Sequence, residues 1–285
     1  MKTVQKSRVI DMTAGNPTRL LLAFSLPLFF GNLLQQCYNL ADTSLAGHIL
    51  GDAALAQIGA TAALYSLITN FAFGLNNGFA LMVSRYFGAD DKTRLKQAVC
   101  WMTVLSILFS AALTIGFLAL RGPLLTILQV PAGTREGAAA YLTVILAGIP
   151  LTMGYNLEAS LLRAVGNSLT PLLLLLFSSI LNIGLDIWFM GPLQMGVRGA
   201  AIATVLSQGI SACLGLLYIV RCYAWLRFGK KEFKVSRSFV LQMVNTGLGM
   251  ALMSTIYSIG SVMLQGSVNA LGETYIAAQV VARRQ

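Results

Sequence analysis

Seven stretches of this chain stay apolar long enough to cross a lipid bilayer, and that fact limits the fold more than any other. They run over residues 18–41, 53–83, 98–120, 138–162, 169–190, 197–220 and 239–264, and an eighth begins near Tyr275 and reaches Gln285. About 20 helical residues traverse the hydrocarbon core. Lipid supplies no hydrogen-bond partners, so a spanning backbone must be a helix or a closed barrel. These runs are too long for barrel strands and show no alternation of period two. The reading is an all-α, polytopic helical membrane protein. Composition agrees: 11% of residues are charged, against about 25% in soluble domains, and mean hydropathy is +0.72. A soluble enzyme, a disordered tail and a collagen-like rod are excluded.

The net charge of +10 would suit a nucleic-acid partner if it formed one soluble basic surface. Instead the cations sit in short segments between apolar runs, so nucleic acid is set aside and the lipid bilayer is the expected partner. With the N-terminus inside, inner segments hold fifteen Lys and Arg, from Lys2 through Arg85–Lys96 and Arg163 to Arg221–Arg237, and outer loops hold three, Arg121, Arg135 and Arg198. That asymmetry predicts a multi-pass protein of the cell membrane with a cytoplasmic N-terminus. Arg283 and Arg284 would fall inside the eighth span. The first apolar run outlasts a signal peptide and lacks a cleavage site, so a removable leader is not expected. Cys37, Cys100, Cys213 and Cys222 form no C-x-x-C pair and read as apolar packing residues.

Turn chemistry separates the spans at Gly51-Asp52, Gly88–Asp91, Arg121–Pro123, Gly166–Ser168 and Gly191-Pro192. The longest polar stretch lies between Arg221 and Ser238. Shifting the chain by 221 residues aligns Leu50-Gly51-Asp52 with Leu271-Gly272-Glu273 and Ala56 with Ala277, an echo of the kind internal repeats leave in transporters. The expected organisation is a six-helix lobe over 1–222, a basic cytoplasmic linker over 223–238, and the incomplete start of a second lobe over 239–285.

Ionisable groups inside spans cost about 2.5–3.5 kcal/mol each on insertion scales and need a reason. Asp42, Glu158 and Asp186 qualify. Asn182 and Asp186 are four apart and share a helix face. Thr204, on the helix returning after Gly191-Pro192, reaches a similar depth, and Asp42 completes the group if the first span packs alongside. Two carboxylates, an amide carbonyl and a hydroxyl make an all-oxygen site for Na⁺ or a shared proton. Two carboxylates in a low dielectric cannot both stay bare. The alternative is that these groups only hydrogen-bond helices together. Asn32, Gln35, Gln36, Tyr38 and Asn39 make one side of the first span polar, as a water-lined wall would be. Pro27 removes a backbone bond there, for a hinge or a static kink. Asn70, Asn76 and Asn77 fit either a cavity wall or interhelical bonds. Glu158 reads as a buried acid paired across to another helix, and His48 as an outer-loop residue. No enzyme motif such as H-E-x-x-H, G-x-S-x-G, a P-loop or G-x-G-x-x-G occurs, so no catalytic residue is assigned.

Three segments carry a family resemblance: Met12 to Asp42 (MTAGNPTRLLLAFSLPLFFGNLLQQCYNLAD), Leu162 to Ser168 (LRAVGNS) followed by Thr170-Pro171, and Asn182 to Asp186 (NIGLD). Together they resemble the multidrug and toxic-compound extrusion (MATE) family. The resemblance implies twelve helices in two six-helix lobes and drug–cation antiport by alternating access. It also implies a first-lobe cation site, whose positions are matched here by Asp42, Asn182, Asp186 and Thr204, with Pro27 at the bend of helix one. Two departures accompany it. Leu252 to Tyr257 lacks the cation-binding Glu that some branches carry on helix seven, and about four and a half helices of the family plan are missing. The expected function is therefore that of a fragment of a Na⁺- or H⁺-coupled exporter of amphipathic, often cationic, organic compounds, monomeric at full length, with no cofactor beyond the coupling ion. The alternatives are a lipid-linked precursor flippase of related helix plan, whose cavity should be rich in cations, and an inactive truncated membrane protein.

Overall fold

The computed structural model describes residues 15–128 and 132–270. They form nine α-helices and no strand: α1 (Pro17–Leu50), α2 (Asp52–Gly88), α3 (Lys92–Ala119), α4 (Arg121–Ile127), α5 (Ala132–Ala147), α6 (Ile149–Ala164), α7 (Leu169–Met190), α8 (Gly196–Cys222) and α9 (Arg237–Ala270). A single 3₁₀ turn spans Ala224–Leu226. α1, α2, α3, α7, α8 and α9 are each long and apolar enough to cross a membrane, and α5 with α6 forms a seventh span bent by 47°. The eighth run, Arg283 and Arg284, and the second copy of the echo lie outside the described residues.

Local chemistry sets the ends. Asn16 caps α1 by accepting from the Thr18 N–H at 3.0 Å, with Pro17 as the first helical residue. The Asp91 carboxylate caps α3 by accepting from the Arg94 N–H at 3.0 Å. Asn167 does the same for α7 at the Thr170 N–H, 3.0 Å, and also donates to the Thr170 and Tyr223 hydroxyls, each at 2.8 Å. The LRAVGNS segment therefore owes its residues to a buried turn, with Gly166 at φ 83° and one amide binding two helices.

Three expectations change. α1 runs on to Leu50, so His48 lies in its last turn and not in a loop. The fourth span is not one helix. It breaks at Gly148, where Pro150 cannot donate into the preceding turn and a Cβ at Gly148 would run into Val205. The turn expected at Arg121–Pro123 instead opens the short α4.

α2 and α8 are the packing centres. α2 lies against α9, α6, α3 and α5, and α8 against α7, α6 and α5. Leu75, Phe79, Val83, Met102, Leu142, Leu146, Met153 and Leu162 fill the main core. Close approach comes from small residues, as it must where lipid is as apolar as leucine. On α2, a Cβ at Gly74 would stand 2.6 Å from the Ala251 Cα, and one at Gly78 would stand 2.6 Å from the Gly247 Cα. α8 buries Gly199, Ala200, Ala201, Ala203, Ser207 and Ser211, and the Ser211 hydroxyl donates across to the Leu174 carbonyl at 3.1 Å. The outer faces carry exposed Ile107, Leu108, Ile115, Ile180, Trp188 and Leu216, which suits a lipid solvent.

The segment after α8 is folded back on the bundle. Tyr223 and Leu226 are buried in the main core, and the Arg227 guanidinium donates to the Val220 carbonyl at 2.6 and 3.1 Å. Glu232 accepts from the Gly229 N–H at 2.7 Å. That bond is the main reason its carboxyl is held below the usual range.

Candidate cation-binding site

Three helices bring the predicted site residues together. α7 contributes Asn182 and Asp186, both 0% exposed, one turn apart on its buried face. α8 returns beside it through the 191–195 hairpin and contributes Thr204, buried, whose hydroxyl donates to the Ala200 carbonyl at 3.0 Å. α1 packs along α7 and brings the half-buried Asp42 carboxyl against that of Asp186. Among the described residues, Asp42 Oδ1, both Asp186 oxygens and both polar atoms of the Asn182 amide are buried without a hydrogen-bond partner. Two carboxylates are acceptors only, so the carboxyl contact becomes a hydrogen bond only with a proton between them. Otherwise a bound cation must supply the missing positive charge. Orphaned oxygens from two acids and an amide fit a monovalent hard cation or a proton. Among the described residues no group of three or more His, Cys, Asp or Glu gathers as a metal site, here or elsewhere; this site has two acids, an amide and a hydroxyl.

An apolar cap closes the pair on one side. Ala46, Met190 and Ala200 form a small buried cluster of their own. Each lies four residues from a site residue, along from Asp42, along from Asp186 and back from Thr204, so all three stand one turn nearer the hairpin end. On the other side stand tyrosines. Tyr38, one turn before Asp42, reaches Thr204 and lies near both acids. Tyr65 of α2 faces Asp42 and reaches Gln208. Tyr141 of α5 completes the ring near Tyr65 and both acids. Gln208 accepts from the Thr152 hydroxyl at 2.6 Å, tying this wall to the bent α5–α6 span. Sequence reading named Tyr38 but missed Tyr65, Tyr141 and Gln208. The available signal was a hydroxyl or amide inside an apolar run, which spacing alone could not direct to this pocket.

The other polar candidates separate. Asn32, Gln36 and Asn39 are exposed on the open side of α1, and Gln35 is half-buried, donating to the Asn39 side chain at 3.2 Å. Asn70 donates to its own helix at the Ser66 carbonyl, 2.8 Å. Asn76 is fully buried and joins helices: it accepts from the Ser106 hydroxyl at 2.8 Å and reaches the Met153 sulfur at 3.4 Å. Asn77 accepts from Ser160 at 3.1 Å. Pro27 lies half-buried inside a continuous α1. Glu158 is buried with its carboxyl packed on Gly215 of α8. No ion pair to it occurs among the described residues; Arg163 instead bonds Ser160 at 3.3 Å and stands over Phe73 at 5.6 Å. Glu158 Oε1 is buried without a hydrogen-bond partner among the described residues, and what the carboxyl meets on another helix is the backbone at Leu216, not a charge.

Known proteins resemble this chain in sequence and in fold. The chain is 34% identical over 273 residues to the probable multidrug resistance protein YpnP of Bacillus subtilis, covering 91% of this chain and 60% of that one. It is 26% identical over 258 residues to the probable multidrug resistance protein NorM of Thermotoga maritima, covering 85% and 53%. A crystal structure of MATE in complex with MaD3S superposes with a TM-score of 0.88 at 27% identity, over 98% of this chain and 63% of that one. A MOP superfamily transporter from Pyrococcus furiosus superposes with a TM-score of 0.87 at 27% identity, over 98% and 62%. The chain thus spans about 60% of the length of the curated relative YpnP. The MatE family model matches residues 27–188, the stretch from Pro27 through the Asp42–Asp186 pair, and the chain belongs to the MATE family of membrane transporters.

Proposed function

We propose that this chain supplies the cation-coupling lobe of a multidrug exporter, and that Asp42, Asn182, Asp186 and Thr204 bind the coupling Na⁺ or H⁺. The observation that carries the reading is the buried carboxyl pair with unpartnered oxygens. YpnP, NorM and their kin are described as multidrug resistance proteins, which supports drugs as the substrate class. Residues 1–222 act as one lobe, 223–238 as the link, and 239–285 as the opening of the second lobe. The polar side of α1 (Asn32, Gln35, Gln36, Tyr38, Asn39), with Asn70, lines the drug path, and Pro27 is the hinge by which α1 responds to the ion. The amides, tyrosine and acid of α1 offer nothing to hold a pyrophosphate, so the flippase reading is not pursued.

Cation entry neutralises the pair and favours the state that releases drug outward, and release of the cation inward restores the charge and resets the cycle. One charge moving inward through about 100 mV supplies about 2.3 kcal/mol, enough for a gradient of about 50-fold in an uncharged drug; one-for-one exchange against a monovalent cationic drug moves no net charge and draws on the chemical gradient of the coupling ion. The test uses the complete protein in cells. Asp42→Asn and Asp186→Asn should each abolish efflux of a cationic dye while membrane levels match wild type. Undiminished efflux in either variant overturns the assignment.

A further inference from the structure

We propose that the inner face carries a binding site for the phosphate of an anionic phospholipid, in a cavity between the ends of α2, α3 and α9. The cavity is an open groove of about 550 Å³. Its wall includes the Arg94 guanidinium, Lys234, Gln97 and the Ser236 and Ser238 hydroxyls at the start of α9. The floor is aromatic: Tyr86 and Phe239 stack at 5.9 Å, and Arg94 lies over the Tyr86 ring at 5.8 Å. Gln97 donates to the Lys234 carbonyl at 3.5 Å, which ties α3 to the loop before α9. Two acids stand nearby: the Asp91 carboxylate is 3.7 Å from Arg94 Nε, an exposed pair that leaves the rest of the guanidinium fork available, and Glu232, two residues before Lys234, is held by the Gly229 N–H and faces Lys96 and Lys231. A phosphate fits the donor set, since these groups are cations, hydroxyls and an amide; the Ser236 hydroxyl also caps α9 by accepting from the Phe239 N–H at 3.3 Å and keeps its own O–H to donate.

Lipid, and not a soluble phosphate, is the occupant for a reason of position. The 223–236 loop exposes Trp225, Phe228 and Phe233 among Arg227, Lys230, Lys231 and Lys234. Aromatic rings interleaved with cations at the ends of spans sit at headgroup level. Over Arg85–Lys96 and Arg221–Arg237 there are ten Lys and Arg against Asp90, Asp91 and Glu232, so the surface around the cavity attracts an anionic leaflet. The site is separate from the coupling residues and does not depend on their role.

The test is binding to the purified chain in maltoside micelles, followed by tryptophan fluorescence. Short-chain phosphatidylglycerol is the probe, with short-chain phosphatidylcholine and glycerol phosphate as comparators. Each cation near the headgroup is worth about fivefold in affinity. Wild type should bind phosphatidylglycerol saturably and well ahead of both comparators. K234Q should lose about fivefold and R94Q/K234Q about thirtyfold, while R121Q/R135Q, with the same charge change at the other face, should bind like wild type. Lys234 is exposed, so K234Q remains informative if the double variant does not fold. Equal binding by wild type and K234Q overturns the site. Glycerol phosphate binding as tightly as phosphatidylglycerol overturns the lipid assignment.

Discussion

Asn167 shows how one side chain can hold a helix junction. It is fully buried, and its amide accepts from the Thr170 N–H and donates to two hydroxyls, one on the segment after α8. Removing it leaves a backbone N–H and the Tyr223 hydroxyl without that partner. Asn167→Ala should therefore lower the unfolding free energy of the purified chain by about 1–3 kcal/mol, and Tyr223→Phe by a smaller part of that; matched losses in a detergent unfolding titration would contradict this division. Asn182 presents the opposite case. It is just as buried, but its amide has no protein partner among the described residues. In sequence the two asparagines look alike, each near a glycine in an apolar context. Spacing singled out Asn182 because Asp186 follows one turn later. Nothing in the spacing disclosed that Asn167 bonds Tyr223, since that partner lies 56 residues away.

At the scale of elements, the helices were legible and their joints were not. Span positions follow from the length of apolar runs, which lipid enforces strictly. At Gly148 the break itself follows from Pro150, which the sequence shows, whereas the need for glycine there depends on Val205 occupying the space a side chain would need, a tertiary fact. The α2–α9 contact lies in between. Gly74 and Gly78 form a GxxxG pair, and Gly247 with Ala251 a matching small pair, both readable in the sequence as a close-packing signature and both overlooked there. Gly78→Ile should push α9 away, because even a Cβ there would stand 2.5 Å from the Thr246 carbonyl oxygen. The expected outcome is faster proteolysis in the 227–235 loop and a lower melting midpoint. Gly249→Ala, on α9 itself with nothing within 4 Å of the new Cβ, should leave proteolysis unchanged and gain slightly in helix propensity. If both substitutions behave alike, small-residue packing does not hold α9.

For the whole molecule the main inference is sidedness. Fifteen cations on one side against three on the other lead us to infer that the 223–236 loop is cytoplasmic and the 191–195 hairpin outside. In a chain with its four cysteines replaced, Lys230→Cys should react with an impermeant maleimide only in inverted vesicles, and Leu193→Cys only in right-side-out ones. The reverse pattern would invert the transport cycle proposed above. The same sidedness explains why α1 was the hardest helix to read. Among the described residues the Asn39 side chain bonds only Gln35 of its own helix, and Asn32 and Gln36 stay exposed, so their reason lies in what they face, and a sequence records only which residues are polar.

The cap of Ala46, Met190 and Ala200 then has a physiological meaning. Methyl and thioether groups carry neither protons nor hydrated ions, so on the function and sidedness proposed above these three residues would insulate the acid pair from the outer solution while the protein rests in this arrangement. Met190→Ser would give that insulation a hydroxyl and room for water. A cell making the complete exporter with this change should acidify or load Na⁺ faster after an imposed gradient, with no drug present, and grow more slowly for it. Such a cost in the absence of drug, measured as vesicle ion influx, would separate the work of holding an ion from the work of holding it back.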